Sequence, residues 1–453
     1  MKDYTPFSPR ASLVAAGVWT ARRKIWYVVE DHVHIRQKVI RYRPIDKLKD
    51  AFINMLAGGH GIVEVNTRLR HDEAVQCAFG RDGCAEQSVV SDTLNACGET
   101  QVEQMRQAQQ VLLRIHGRAY RHNYEQQCQV LDIDLTGMPA GRQGEGVTKG
   151  YFSGHRGRRG RQLGRVLATL YDEVIVDRLY PGTKQLEQNL QELVLCAETV
   201  LDLGEAKRQQ TLIRVDGGGG RDADINFLLA RGYYVIAKVK NWQRARKLAQ
   251  SVETWYPDPK VTNREIGWVE DPHAYSRPTR QVAIRKRMPD GKWRYRVLVF
   301  SLPDELLFGL LHRSQPQSRT SRRTLYAAMQ AYDLRGGGVE TSIRGSKQGL
   351  GITKRNKRRF SAQEMLVLLA QLAYNLITWM HASLSRIEPR FRTFGKLRIV
   401  RDLFHIPGQV RLDAQGRVLE ITLNDKHVLA APFAQSIQRL ISADDMWPNW
   451  DEI

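Results

Sequence analysis

The chain has 453 residues, 69 Lys and Arg against 48 Asp and Glu (net charge +21), and 42% hydrophobic residues. That is enough apolar chain for two or three cored domains, which excludes a disordered basic tail, and the basic excess favours a polyanion, nucleic acid first. The five cysteines are widely spaced with no C-x-x-C pair, which argues against a disulfide framework or a zinc site and fits a reducing cytoplasm.

Residues 1–45 read as an irregular arm in which basic and aromatic residues interleave (Arg22, Arg23, Lys24, Trp26, Tyr27, Arg41, Tyr42), suited to a phosphate backbone. Residues 45–56, 68–79, 88–97 and 100–115 then carry apolar positions at helical spacing. Short helices near a basic arm suit a helix-turn-helix-like DNA-binding domain, although small bundles of this kind are common in other settings. No secretory leader is expected, because the N-terminus lacks a continuous apolar core.

Residues 129–135 (QVLDIDL) read as a strand with Asp132 and Asp134 on one face. Two carboxylates on an otherwise buried strand are costly unless something cationic meets them. Residues 151–165 (YFSGHRGRRGRQLGR) read as a loop whose Arg156, Arg158, Arg159 and Arg161 are candidate phosphate contacts. Strands over 166–171 and 173–179 and a helix over 184–203 follow.

Residues 211–240 (TLIRVDGGGGRDADINFLLARGYYVIAKVK) read as strand, tight turn, helix and strand, with Asp222 or Asp224 capping the helix. Asp216 stands at the end of its strand, where α/β sheets bind ligands. It is equally an Asp-Gly turn residue bonding its own backbone. The glycines miss the dinucleotide fingerprint, since its third glycine falls on Asp222, and there is no Walker sequence.

Residues 241–314 alternate in a β-like way, and Asp290-Gly291 between two such runs predicts a hairpin. This reads as an inserted β-rich subdomain. Its Trp242, Trp255, Trp268 and Trp293 suit core packing first and base stacking second. A helix is expected over 318–334, and Ser361 with Glu364 predicts a capping box for a long apolar helix to about residue 385. Its most apolar part, 365–380, holds Gln371, Asn375 and Thr378 and is too short and polar to span a bilayer. A hairpin over 409–423, a short helix and an acidic end complete the chain.

Taken together, the chain resembles the DDE-type insertion-sequence transposases, in the subgroup with a Tyr-Arg-Glu-Lys signature. The likeness rests on LDIDLTG around Asp134, on IRVDGGGGRDADINFLLARGYYVIAKVK around Asp216, on Tyr332, Arg335, Glu340 and Lys347, and on LAYNLITWM. In the family three residues separate the Arg from the Glu. Here Gly336 to Val339 makes four, and the added residue either loops out before Glu340 or turns that carboxylate away.

The resemblance implies an α/β fold: a ribonuclease-H-like mixed sheet flanked by helices, interrupted by a β-rich insertion, with a small helical N-terminal domain. The expected boundaries are 1–124 for the basic arm and helical domain, 125–240 and 316–390 for the two parts of the core, 241–315 for the insertion and 391–453 for the tail. It implies a metal-dependent DNA transposase in which Asp134, Asp216 and Glu340 are catalytic and hold Mg2+ or Mn2+, two ions in all. Asp132 is the reserve for Asp134. Tyr332, Arg335 and Lys347 would contact DNA phosphates. The implied partners are the element's terminal inverted repeats and target DNA, bound by a dimer in a prokaryotic, nucleoid-associated setting with no membrane. A DNA-binding relative without catalysis, or a metal-dependent nuclease on the same core, are the alternatives.

Overall fold

A computed structural model describes residues 3–39, 41–152, 155–311 and 322–442. The chain divides into two compact units, one of Met1–Gly117, Met138–Arg161 and Ile343–Ile453, the other of Arg118–Gly137 and Gln162–Ser342.

The second unit is built on a large mixed sheet. Its strands are β1 (Gln129–Pro139), β2 (His155–Ala168), β3 (Glu173–Pro181), β4 (Thr211–Val215), β5 (Tyr234–Lys238), β6 (Tyr256–Pro257), β7 (Arg264–Trp268), β8 (Arg280–Arg287) and β9 (Trp293–Phe300). They lie in the order β2-β1-β4-β5-β9-β8-β7-β6, with β3 and the tenth strand, Thr148–Phe152, both paired to β2. The centre is parallel, with Ile133 of β1 opposite Val215 of β4 and Val215 opposite Ala237 of β5. Central strands this rich in Val, Ile and Leu are buried on both faces, the usual state of parallel sheet. The hairpin expected around Asp290-Gly291 is β8–β9. It extends the same sheet, because Leu298 of β9 pairs antiparallel with Lys238 of β5.

Three helices bear on this sheet's chemistry. Leu186–Leu201 and Asp222–Ala230 pack against each other, and Arg322–Arg335 packs on the apolar cluster of Val130, Leu212, Ile236 and Leu298. The 222–230 helix begins without the expected aspartate cap: Asp222 is already its first residue, and Asp224 is engaged by Arg221.

The first unit is mainly helical around Phe360–Ile387. By length and composition this helix could cross a membrane, yet 89% of its most apolar 18-residue stretch is buried within the protein. The helices Pro44–Leu56, Gln87–Ala96 and Glu99–His116 pack on it. The strands Gly408–Leu412 and Val418–Leu423 form the expected tail hairpin, joined by Phe7–Ser8.

Three further expectations fail. Residues 11–32 are not an irregular arm but two helices, Ala11–Arg22 and Ile25–His32. Leu13, Val14, Trp19, Ile25 and Val29 are almost wholly buried, and the basic run 22–24 that masked this pattern merely forms the junction. The Arg-rich 151–165 segment is largely strand. Arg161 is buried and donates to the carbonyls of Glu145, Lys357 and Arg358, while Arg165 forms a buried bidentate pair with Asp177. Arg161, read from the sequence as a phosphate contact, is internal instead. The capping box of Ser361 and Glu364 is also absent, because the helix starts two residues earlier, with Arg359 at the N-cap, and Glu364 pairs with Arg106.

Candidate active site

The parallel register sets the site. One step beyond the Ile133–Val215–Ala237 row come Asp134, midway along β1, Asp216, just past the end of β4, and Lys238, the last residue of β5. One step back on the same face, Asp132 lies opposite Arg214.

Asp132 is fully buried and fully engaged. Arg214 Nε and Nη2 donate to its two oxygens at 2.6 and 2.8 Å, and the Thr169 hydroxyl donates at 2.6 Å. Arg214 Nη1 also donates to the Ala331 carbonyl at 2.6 Å, tying the pair to the 322–335 helix. Asp132 is therefore displaced as the reserve ligand: both its oxygens are occupied inside the protein. Arg214 escaped the sequence reading, although an arginine within the apolar run Leu212–Val215 signals a buried carboxylate partner.

Asp134 meets a different cation. Arg335 Nη2 lies 3.1 Å from Asp134 Oδ1, and its Nη1 lies 3.0 Å from Glu340 Oε1. The same guanidinium donates to the Ile133 carbonyl at 3.1 Å. Burial raises the Asp134 carboxyl to about 6; Arg335 opposes the shift, and the neighbouring Asp216 and Glu340 charges add to it. Asp216 Oδ1 accepts from the Gly218 amide at 2.7 Å, which is the expected turn bond. Its Oδ2 has no hydrogen bond among the described residues. The glycine run lies hard against β5: a Cβ on Gly220 would stand 1.8 Å from the Lys238 carbonyl oxygen.

The added residue falls in a kink, Gly336–Glu340, between the Arg322–Arg335 and Thr341–Gly349 helices, where Gly338 at φ −88° and ψ −108° leaves helical geometry. Glu340 still reaches Arg335 across that kink. Gly338 is required there, since a Cβ would stand 2.4 Å from Asp132 Oδ2.

Two more residues border the acids. Burial pushes the Tyr332 phenol up to about 12, with the Asp216 and Glu340 charges contributing and Arg335 opposing. Burial lowers the Lys238 ammonium, with Asp216 as the main opposing influence. Its Nζ lies 5.9 Å from the Tyr332 ring centre. Lys238 was not foreseen. Its signal was a lysine at the end of a buried strand, in the register row that continues from Val215–Ala237 to Asp216.

The second unit thus gathers Asp134, Asp216, Glu340, Tyr332 and Arg335. Lys347, Arg158 and Arg159 belong to the first unit, with Arg158 exposed and Arg159 half-buried. The Arg156 side chain lies outside the described residues. Among the described residues no group of three acidic, His or Cys side chains is spaced to hold a metal ion. The Arg335 guanidinium stands where positive charge would sit between Asp134 and Glu340. The donor set is nonetheless all carboxylate oxygen, which suits a hard divalent ion.

Carboxylates carried on and just beyond adjacent parallel strands of a mixed α/β sheet define a class of carboxylate-dependent sites. A family model described as Transposase DDE domain group 1 matches residues 20–444, and the chain belongs to that family. Among solved structures, the piggyBac transposase synaptic complex with hairpin DNA is similar at a TM-score of 0.49 and 11% identity, covering 95% of this chain and 86% of that one. No curated protein sequence matches.

Proposed function

We propose that this transposase cleaves the ends of a mobile element and joins the resulting 3′-hydroxyls to target DNA. Asp134, Asp216 and Glu340 would hold two Mg2+ or Mn2+ ions. The observation that carries this reading is the convergence of three acids, distant in sequence, around one guanidinium. Bound there, divalent ions would activate the attacking oxygen and stabilise the leaving one.

The chain's own residues prepare that site. Arg335 keeps Asp134 and Glu340 close despite their like charge, and the Gly218 amide fixes Asp216. The buried Asp132–Arg214 pair anchors the strand row to the 322–335 helix. Tyr332, Arg335 and Lys347, with Arg156, Arg158 and Arg159, would contact DNA phosphates. In this reading β1–β5 form a ribonuclease-H-like core, the 1–124 helices bind the element ends, and the protein acts as a dimer on DNA in a prokaryotic cytoplasm.

The test uses a duplex carrying the inverted repeats that flank this reading frame. The wild type is expected to nick it and transfer precut ends in Mg2+. Asp134→Asn, Asp216→Asn and Glu340→Gln each remove several kcal/mol of transition-state stabilisation, about a thousandfold in rate, with the fold intact by circular dichroism. An Asp216→Asn protein that still cuts at the wild-type rate would refute the assignment. The Arg335 lock favours a second reading, DNA binding without catalysis. It predicts end binding in a gel shift and no nicked product at any metal concentration.

A further inference from the structure

A groove of about 1240 Å3 opens at Asp216, Gly217 and Gly218 and runs past Lys238 to the turn of the β8–β9 hairpin. It exceeds the ~300–1,000 Å3 of small-molecule sites, which points to a polymer. Its wall carries Lys238, Arg246, Lys292, Arg294 and Arg296 against the carboxylates of Asp216 and Asp290. Lys240 also lines it but is paired with Glu187. Lys238, Arg246, Lys292 and Arg294 have no ion-pair partner among the described residues. Lys238 is half-buried near Asp216 and the Tyr332 ring but in direct ion-pair contact with neither, so a phosphate entering the groove would supply the close anion it lacks. The row of cations leading away from it suits a chain of phosphates.

We propose that this groove carries the DNA strand flanking the cleaved bond, with Lys238 as a positioning residue on the phosphate nearest Asp216. The proposal rests on the transposase reading and names a track for the substrate which that reading leaves open. Lys238 adjoins Asp216 in the strand row, so a phosphate held by its ammonium is registered against the acids. The cations at the hairpin end would then hold the following phosphates.

The experiment measures binding of the same end duplex without divalent ions, replacing one phosphate at a time by an uncharged methylphosphonate on both sides of the cut. In the wild type one position near the cut is expected to weaken binding about tenfold. Lys238→Ala should bind about tenfold more weakly at the outset, show no further loss at that position, and have a salt slope shallower by about one. Lys238→Arg should keep the positional penalty, and Lys238→Gln repeats the charge removal should the alanine variant unfold. End-specific binding in which Lys238→Ala retains the wild-type penalty at every position overturns this proposal alone. A protein that does not prefer the end duplex over a scrambled one overturns the transposase reading with it.

Discussion

Asp132 and Asp134 are two residues apart on one strand face, yet burial gives them opposite roles. Asp132 is sealed in a bidentate pair with Arg214, so removing its charge leaves a buried, uncompensated guanidinium. Asp132→Ala is expected to cost about 3–5 kcal/mol and to lower the urea midpoint. Asp134→Asn, at a partly exposed site, is expected to leave that midpoint nearly unchanged while abolishing cleavage. Equal midpoints for the two variants would defeat the distinction. The need for cations on this face was legible in the sequence, because two carboxylates on an apolar strand demand them. Which cations was not legible. Arg214 arrives 82 residues later, through a strand register that no local pattern records.

At the scale of the element, the kink Gly336–Glu340 decides whether the third acid reaches the site. The extra residue was visible in the sequence, but a kink at one glycine leaves no periodic trace, so its effect on Glu340 was not. Gly338→Ala would push a methyl into the Asp132 carboxylate and is expected to destabilise by about 1–3 kcal/mol. Gly337→Ala is the control. A Cβ there meets nothing within 4 Å, so the change is expected to be neutral or stabilising by up to about 1 kcal/mol. Deleting Gly337 tests the kink itself: it restores the family's three-residue spacing between Arg335 and Glu340, so cleavage and DNA binding are both expected to persist, and loss of cleavage alone would show that this chain depends on its added residue. Thermal melts and a nicking assay on the three proteins separate these outcomes. Strands of β-branched residues such as Thr211–Val215 were legible for the converse reason, since their period is local. The 155–168 strand was not, because its arginines find their carbonyl and carboxylate partners through tertiary contacts.

For the whole molecule, the +21 charge is a count of residues and not of what a ligand meets. Arg161, Arg165 and Arg214 are among the largest fully buried side chains, and Arg335 is nearly as deep. The excess that remains outside is still large, and it includes the unpaired cations of the groove. Electrostatic contact with some six to ten phosphates would release their counterions, giving a slope of log affinity against log salt of about −5 to −9. Affinity for the end duplex is therefore expected to fall by about 10^3 to 10^5 between 50 and 200 mM salt, read by fluorescence anisotropy. Neutralising Arg294 and Lys292 together should flatten the slope by about two. Arg161→Ala should leave the slope as it is and lower stability instead, since its guanidinium serves backbone carbonyls. A slope shallower than about −2 in the wild type would mean that the basic surface does not engage a phosphate backbone, and the charge would then need another explanation.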